Sequence, residues 1–204
     1  MSPLGNNTRE SNRNNVTGIK FECIQCGACC RQNELLVTLT ARDAYSLASA
    51  LGLTAENLLR AVDFYILKDD DESPVGLQQI PQVKTEKGQA YLALRKLEDG
   101  SCIFLKDDLC MVHVVRPSVC RSFPFVFRRK SGELTWGLSA LKEICPGLGT
   151  GKDITKTELI ELGGIVLEDL EIYSEFADDW NSADDNLTAL GLIEAILSDT
   201  RSII

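Results

Sequence analysis

Cys23-Ile24-Gln25-Cys26-Gly27-Ala28-Cys29-Cys30 carries four thiols in eight consecutive residues, and the rest of the chain organises around it. A two-residue spacer turns the backbone so that both flanking sulfurs face one side, a spacing shared by zinc ribbons and ferredoxin-type clusters. Gly27 suits such a turn because it tolerates positive φ. The adjacent pair Cys29-Cys30 limits what one centre can gather, since successive side chains of extended backbone point to opposite faces. The expected partition gives Cys23, Cys26 and Cys29 to one site whose fourth ligand is distant or whose fourth position is open. Cys30 is left to a neighbouring site or to packing.

The remaining thiols, Cys102, Cys110, Cys120 and Cys145, are spread along the chain and complete a set of eight. They make either a second four-ligand site or structural thiols beside one site. Cys102 and Cys110 are expected at two ends of a hairpin across the turn Lys106-Asp107-Asp108. Compact ligand pairs are usual for zinc. Here three close cysteines come first and isolated ones later, and Cys145-Pro146 supplies a remote cysteine before a proline, as in the ferredoxin run. The reading favours an iron–sulfur cluster, of the 4Fe-4S type, with zinc as the alternative.

The chain of 204 residues is long enough for one domain with a core, and its hydrophobic share of 44% is that of an ordinary globular protein. Residues 1–15 hold no apolar segment resembling a secretory signal, and no run nears the roughly 18 apolar residues of a membrane span. The expected compartment is the cytoplasm, where thiols stay reduced and cysteine-rich sequence reads as metal or redox chemistry. A net charge of −9 argues against nucleic acid as a partner. The compact basic run Arg128-Arg129-Lys130 reads as a solvated hairpin tip.

The expected fold class is α+β: cysteine-rich loops and a small β-meander, an N-terminal helical hairpin and C-terminal helices. Residues 1–18 read as a disordered tail, 19–151 as the cysteine-cluster domain and 152–204 as a helical segment packed on it. Glu34–Leu39 reads as a short strand. Thr40-x-x-Asp43 is a capping box for a helix that ends at Gly52. Thr54 opens a second helix expected to run through Val62, Tyr65 and Ile66. Asp69-Asp70-Asp71-Glu72 with Ser73-Pro74 reads as an exposed loop lacking the spacing of a calcium loop. Strands are expected at Tyr91–Leu97, Cys102–Leu105, Met111–His113, Phe123–Arg129 and Leu134–Ser139, and helices at 153–178 and 182–201.

Arg116 and Arg121 flank Cys120 and are candidate charge partners for a thiolate site, or ordinary surface arginines. His113, the one histidine, reads as a packed or exposed hairpin residue ahead of a ligand, and Trp136 as core. Gly147-Leu148-Gly149-Thr150-Gly151-Lys152 fails as a phosphate loop, with proline at the first required glycine and aspartate at the required hydroxyl position, and reads as a flexible loop capping a helix. One histidine assembles no hydrolase triad, so whether the chain is an enzyme stays open.

Four blocks carry a family resemblance: Phe21-x-Cys23-x-x-Cys26-Gly27-x-Cys29-Cys30; Gly100-x-Cys102-x-Phe104-Leu105; Cys110-x-Val112-His113-x-x-Arg116-Pro117-x-x-Cys120-Arg121-x-Phe123-Pro124-Phe125; and Trp136 with Cys145-Pro146-Gly147-x-Gly149. In this order they resemble the YkgJ-type cysteine-cluster family, the CxxCxxCC zinc- or iron-chelating domain. That resemblance spans residues 20–151 and implies metal binding by the cysteines, without settling the metal or an activity. Flagellin lysine methylases look like larger relatives in which the cysteine block accompanies an iron–sulfur centre. Three functions follow as expectations: an iron–sulfur protein for electron transfer or as accessory to a modifying enzyme, a structural zinc module that binds a protein partner, or a cluster-dependent methyltransferase.

Overall fold

The structure, a computed structural model, describes residues 16–67, 77, 79–183 and 187–203. Helix α1 (Ala41–Leu51) begins where Thr40 accepts the backbone N–H of Asp43 and Asp43 in turn accepts that of Thr40; it ends at Gly52, whose φ of +62° closes the turn. Helix α2 (Ala55–Leu59), capped by Thr54, is only five residues long. The expected continuation through Val62 and Tyr65 is instead strand β2 (Val62–Tyr65). Valine, phenylalanine and tyrosine favour extended backbone, and here they find a partner. β2 pairs antiparallel with β4 (Gly88–Leu94), Val62 opposite Leu94 and Tyr65 opposite Tyr91. Pairing with a buried strand outweighs the helical spacing of the apolar residues.

Strand β3 (Val83–Thr85) flanks the other side of β4, giving the order β2-β4-β3. The run expected as a strand at Glu34–Leu39 reduces to a bridge, Thr38 opposite Ala93, with Leu39 donating to the Leu92 carbonyl and Leu94 to that of Val37. Strands β5 (Leu105–Lys106) and β6 (Leu109–Cys110) form a two-residue hairpin. Its tip, Asp107 and Asp108, has φ of +48° and +65°, the left-handed pair that matches strand twist in such turns. Met111–His113, expected as strand, is turn running into the 3-10 turn His113–Val115, which is followed by the short helix α3 (Ser118–Ser122). Strands β7 (Phe125–Lys130) and β8 (Glu133–Leu138) make a full hairpin with Arg128-Arg129-Lys130 toward its tip, where Arg129 pairs with Glu171.

The glycine-rich run 147–152, expected to be a flexible loop, forms much of strand β9 (Leu148–Thr155), which pairs with β1 (Val16–Phe21). β1 thereby orders residues 16–18, which composition assigns to the tail. Thr155 and Glu158 form a second capping box and start α4 (Lys156–Ser182), roughly 40 Å long at 1.5 Å per residue. α5 (Ala189–Ser198) and a 3-10 turn at Thr200–Ser202 follow. α4 joins the layers. Its first half buries Leu159 and Leu167 against Phe125 and Phe127; its second half buries Tyr173, Phe176 and Ala177 with α1, α5 and the three-stranded sheet. Trp136 packs edge-on to Phe125 beside the first half, as expected of core. The architecture is α+β, and no helix among the described residues is long and apolar enough to cross a membrane. The acidic run 69–72 lies outside the described residues.

Candidate metal centre

The first cysteine block leaves β1 on a backbone anchored from afar. Glu22 donates its N–H to the Gly147 carbonyl, 3.2 Å away, and a Cβ built on Gly147 would lie 2.3 Å from the Glu22 carbonyl oxygen. No residue with a side chain fits there, so glycine lets the Cys145 segment lie directly on the Cys23 segment. Gln25 and Gly27, at φ of +54° and +65°, reverse the chain, and Cys29–Arg31 is a 3-10 turn. That turn corrects the expected separation of Cys29 from Cys30. Successive side chains of a three-residue turn stand about 120° apart rather than 180°, so both thiols reach the same cavity.

The β5–β6 hairpin is fastened over this block. Arg31 pairs with Asp108 at the hairpin tip and donates to the Cys26 carbonyl. Gly27 meets the Asp108 carbonyl with no room for a side chain. The pairing of Leu105 with Cys110 then sets Cys110 beside Cys30. Cys120 arrives on α3, and Cys145 from a turn in which its N–H donates to the Leu141 carbonyl.

Seven thiols, those of Cys23, Cys26, Cys29, Cys30, Cys110, Cys120 and Cys145, line one cavity of about 70 Å³, with His113 and Arg116 at its wall and Phe21, Phe123 and Ile144 among its apolar sides. Cys102 does not line it. Cys102 is buried, and its N–H donates to the Cys30 carbonyl at 2.8 Å, so it holds the Cys30 backbone. No three His, Cys, Asp or Glu side chains among the described residues close as a finished coordination shell. Instead the thiols surround the cavity, and Cys30 is hydrogen-bonded to Cys29 and Cys110. Cys30 keeps its proton, its thiol pushed up by hydrogen bonds to Cys110 and Cys29. Those bonds bring Cys110 down to about 6 and Cys29 down to about 7. Burial pushes the thiols of Cys102, Cys120 and Cys145 up.

Arg116 donates to the Cys23 sulfur at 3.6 Å, so it faces the thiols as a charge partner would. Arg121 turns away toward Asp169 and Ser118. His113 Nε2 lies 3.9 Å from the same sulfur, and burial with Arg116 beside it lowers the imidazole pKa, keeping the ring neutral. The donor set is soft. It contains seven thiols, one neutral imidazole and no carboxylate, which fits zinc or iron and not calcium or magnesium. Asp43 enters the sequence reading only as a capping residue, and Asp169 carries no local signal; the structure buries both against Ser118, two residues before Cys120.

A family model described as "CxxCxxCC: Putative zinc- or iron-chelating domain" matches residues 22–146. An uncharacterized protein of Methanocaldococcus jannaschii is 28% identical over 161 residues, covering 75% of this chain and 71% of that protein. No solved structure matches.

Proposed function

This chain belongs to the CxxCxxCC family, and from that premise we propose that its thiol pocket holds a 4Fe-4S cluster serving electron transfer or a modifying enzyme. One observation carries the reading: seven cysteines from four separate segments line a single cavity. A structural zinc site is closed and takes four ligands. This pocket offers more thiols than zinc needs, and Cys23 and Cys26 remain exposed at its mouth. Cys29, Cys30 and Cys110, joined through the Cys30 thiol, together with the buried Cys120, would hold the cluster. Cys23, Cys26 and Cys145 complete the wall. When bound, the cluster supplies one-electron chemistry at a potential set by nearby donors and exposure. Arg116 is the donor placed for that role.

Access for a protein partner has support in the surface. Leu109, Met111 and Val114, which flank Cys110 and His113 in the chain, are 54%, 61% and 95% exposed. Apolar side chains so exposed beside a cofactor pocket suit transient docking. The test is anaerobic purification with iron, zinc and acid-labile sulfide analysis. A brown protein with sulfide equal to iron is expected, with iron lost in Cys120→Ser and kept in Cys26→Ser. A colourless protein with stoichiometric zinc and no sulfide overturns the cluster in favour of a structural zinc module.

A further inference from the structure

We infer that Asp43, Ser118 and Asp169 are positioning residues that hold Cys120 against the metal pocket, an inference that rests on the reading of that pocket as a metal site. α3, which carries Cys120, is five residues long and has no side-chain cap of its own. A single helical turn does not stand alone, because its nucleation is unfavourable. The missing cap comes from 75 residues away. Asp43 Oδ1 accepts the Ser118 backbone N–H at 2.8 Å and lies 3.1 Å from Ser118 Oγ, while Asp43 Oδ2 caps α1 by accepting from Thr40. One carboxylate therefore terminates two helices and fixes their relation.

The second tie runs to α4. Ser118 Oγ lies 2.8 Å from Asp169 Oδ2, and Asp169 also accepts from Arg42 at 2.9 Å and from Arg121 at 3.4 Å. Arg121 donates to Ser118 Oγ at 2.8 Å. Asp43, Ser118 and Asp169 are 5%, 4% and 4% exposed, so water does not replace these partners when one is removed. Both guanidiniums pair with Asp169, and the serine hydroxyl links that carboxylate to Asp43. The sulfur two residues past Ser118 is thereby held from three sides, by α1, by α4 and by its own helix. None of these groups touches the cavity except through Cys120.

The test compares metal release from the reconstituted full chain to an excess of chelator, with visible circular dichroism of the bound centre. Ser118→Ala and Asp169→Asn are expected to release metal about tenfold faster and to alter the dichroism bands. Ser118→Thr, which keeps the hydroxyl, should restore both. Arg201→Ala breaks an exposed pair with Asp179 and a half-buried one with Asp199 near the far end of α4; it should lower the melting temperature and leave release at the parent rate. Parent release and parent bands in both Ser118→Ala and Asp169→Asn overturn the positioning role, whether the bound metal is iron or zinc. A parent chain that takes up neither metal overturns the pocket reading itself, and this inference with it. Asp169→Asn keeps the side-chain shape, so it gives an answer even where Ser118→Ala fails to fold.

Discussion

Replacing Gly27 by alanine tests whether the two remote halves of the thiol pocket are brought together by contact of bare backbone. A Cβ at Gly27 would sit 2.7 Å from the Asp108 carbonyl oxygen and 2.9 Å from Leu105 Cδ1, at φ of +65°. Two costs follow. Left-handed backbone costs an L-residue about 1–2 kcal/mol, and forcing an extra carbon into a packed contact costs about 1–3 kcal/mol. Gly52 separates them, having φ of +62° and nothing within 4 Å of the same built carbon. Gly52→Ala should therefore show the first cost alone, and Gly27→Ala both, about 2–5 kcal/mol in all. At roughly 2–4 °C per kcal/mol for a chain of this size, Gly27→Ala should melt roughly 2–12 °C below Gly52→Ala. Thermal unfolding of the metal-free protein under reductant, followed by far-ultraviolet circular dichroism, reads the difference. A Gly27→Ala protein that melts at or above Gly52→Ala would refute the idea that the Asp108 turn rests on Gly27.

Two further outcomes are expected. Cys102→Ser should keep the metal content of the parent while Cys110→Ser loses it, because Cys102 lies outside the cavity and acts through its backbone; equal loss in both, by metal analysis, would put Cys102 among the ligands. In the metal-free protein, iodoacetamide should label Cys29 and Cys110 before Cys102, Cys120 and Cys145, since thiolate is the reacting form. As pH falls from 8 to 5.5 the labelling of those two should slow, first at Cys29 near 7 and then at Cys110 near 6, where each takes up a proton. Peptide mass spectrometry gives the rates, and rates flat over that range contradict the shared hydrogen bonds of Cys30.

The elements legible in sequence are those whose signals are local. The two capping boxes, Thr40 with Asp43 and Thr155 with Glu158, are short-range hydrogen-bond patterns, the second starting its helix directly after the strand that the Gly147–Lys152 run helps to form. The β7–β8 hairpin follows from alternation around Lys130-Ser131-Gly132. The errors have a common origin. Val62–Tyr65 is strand and Leu148–Thr155 is strand because β4 and β1 lie next to them, and neither neighbour is close in the sequence.

Taken alone, the sequence determined the chemical class: thiols in close spacing, with arginines and prolines around them, mark a soft-metal family wherever the chain happens to fold. Only the tertiary structure decided which thiols meet. Cys29 and Cys30 share a cavity because a 3-10 turn replaces extended backbone, whereas Cys102 lies outside it and meets the block through its backbone N–H on the Cys30 carbonyl. Cys120 is held by carboxylates from α1 and α4. Spacing constrains sulfurs a few residues apart, whereas convergence of segments a hundred residues apart depends on close backbone approach at Gly27 and Gly147 and on buried hydrogen bonds, which no local pattern encodes.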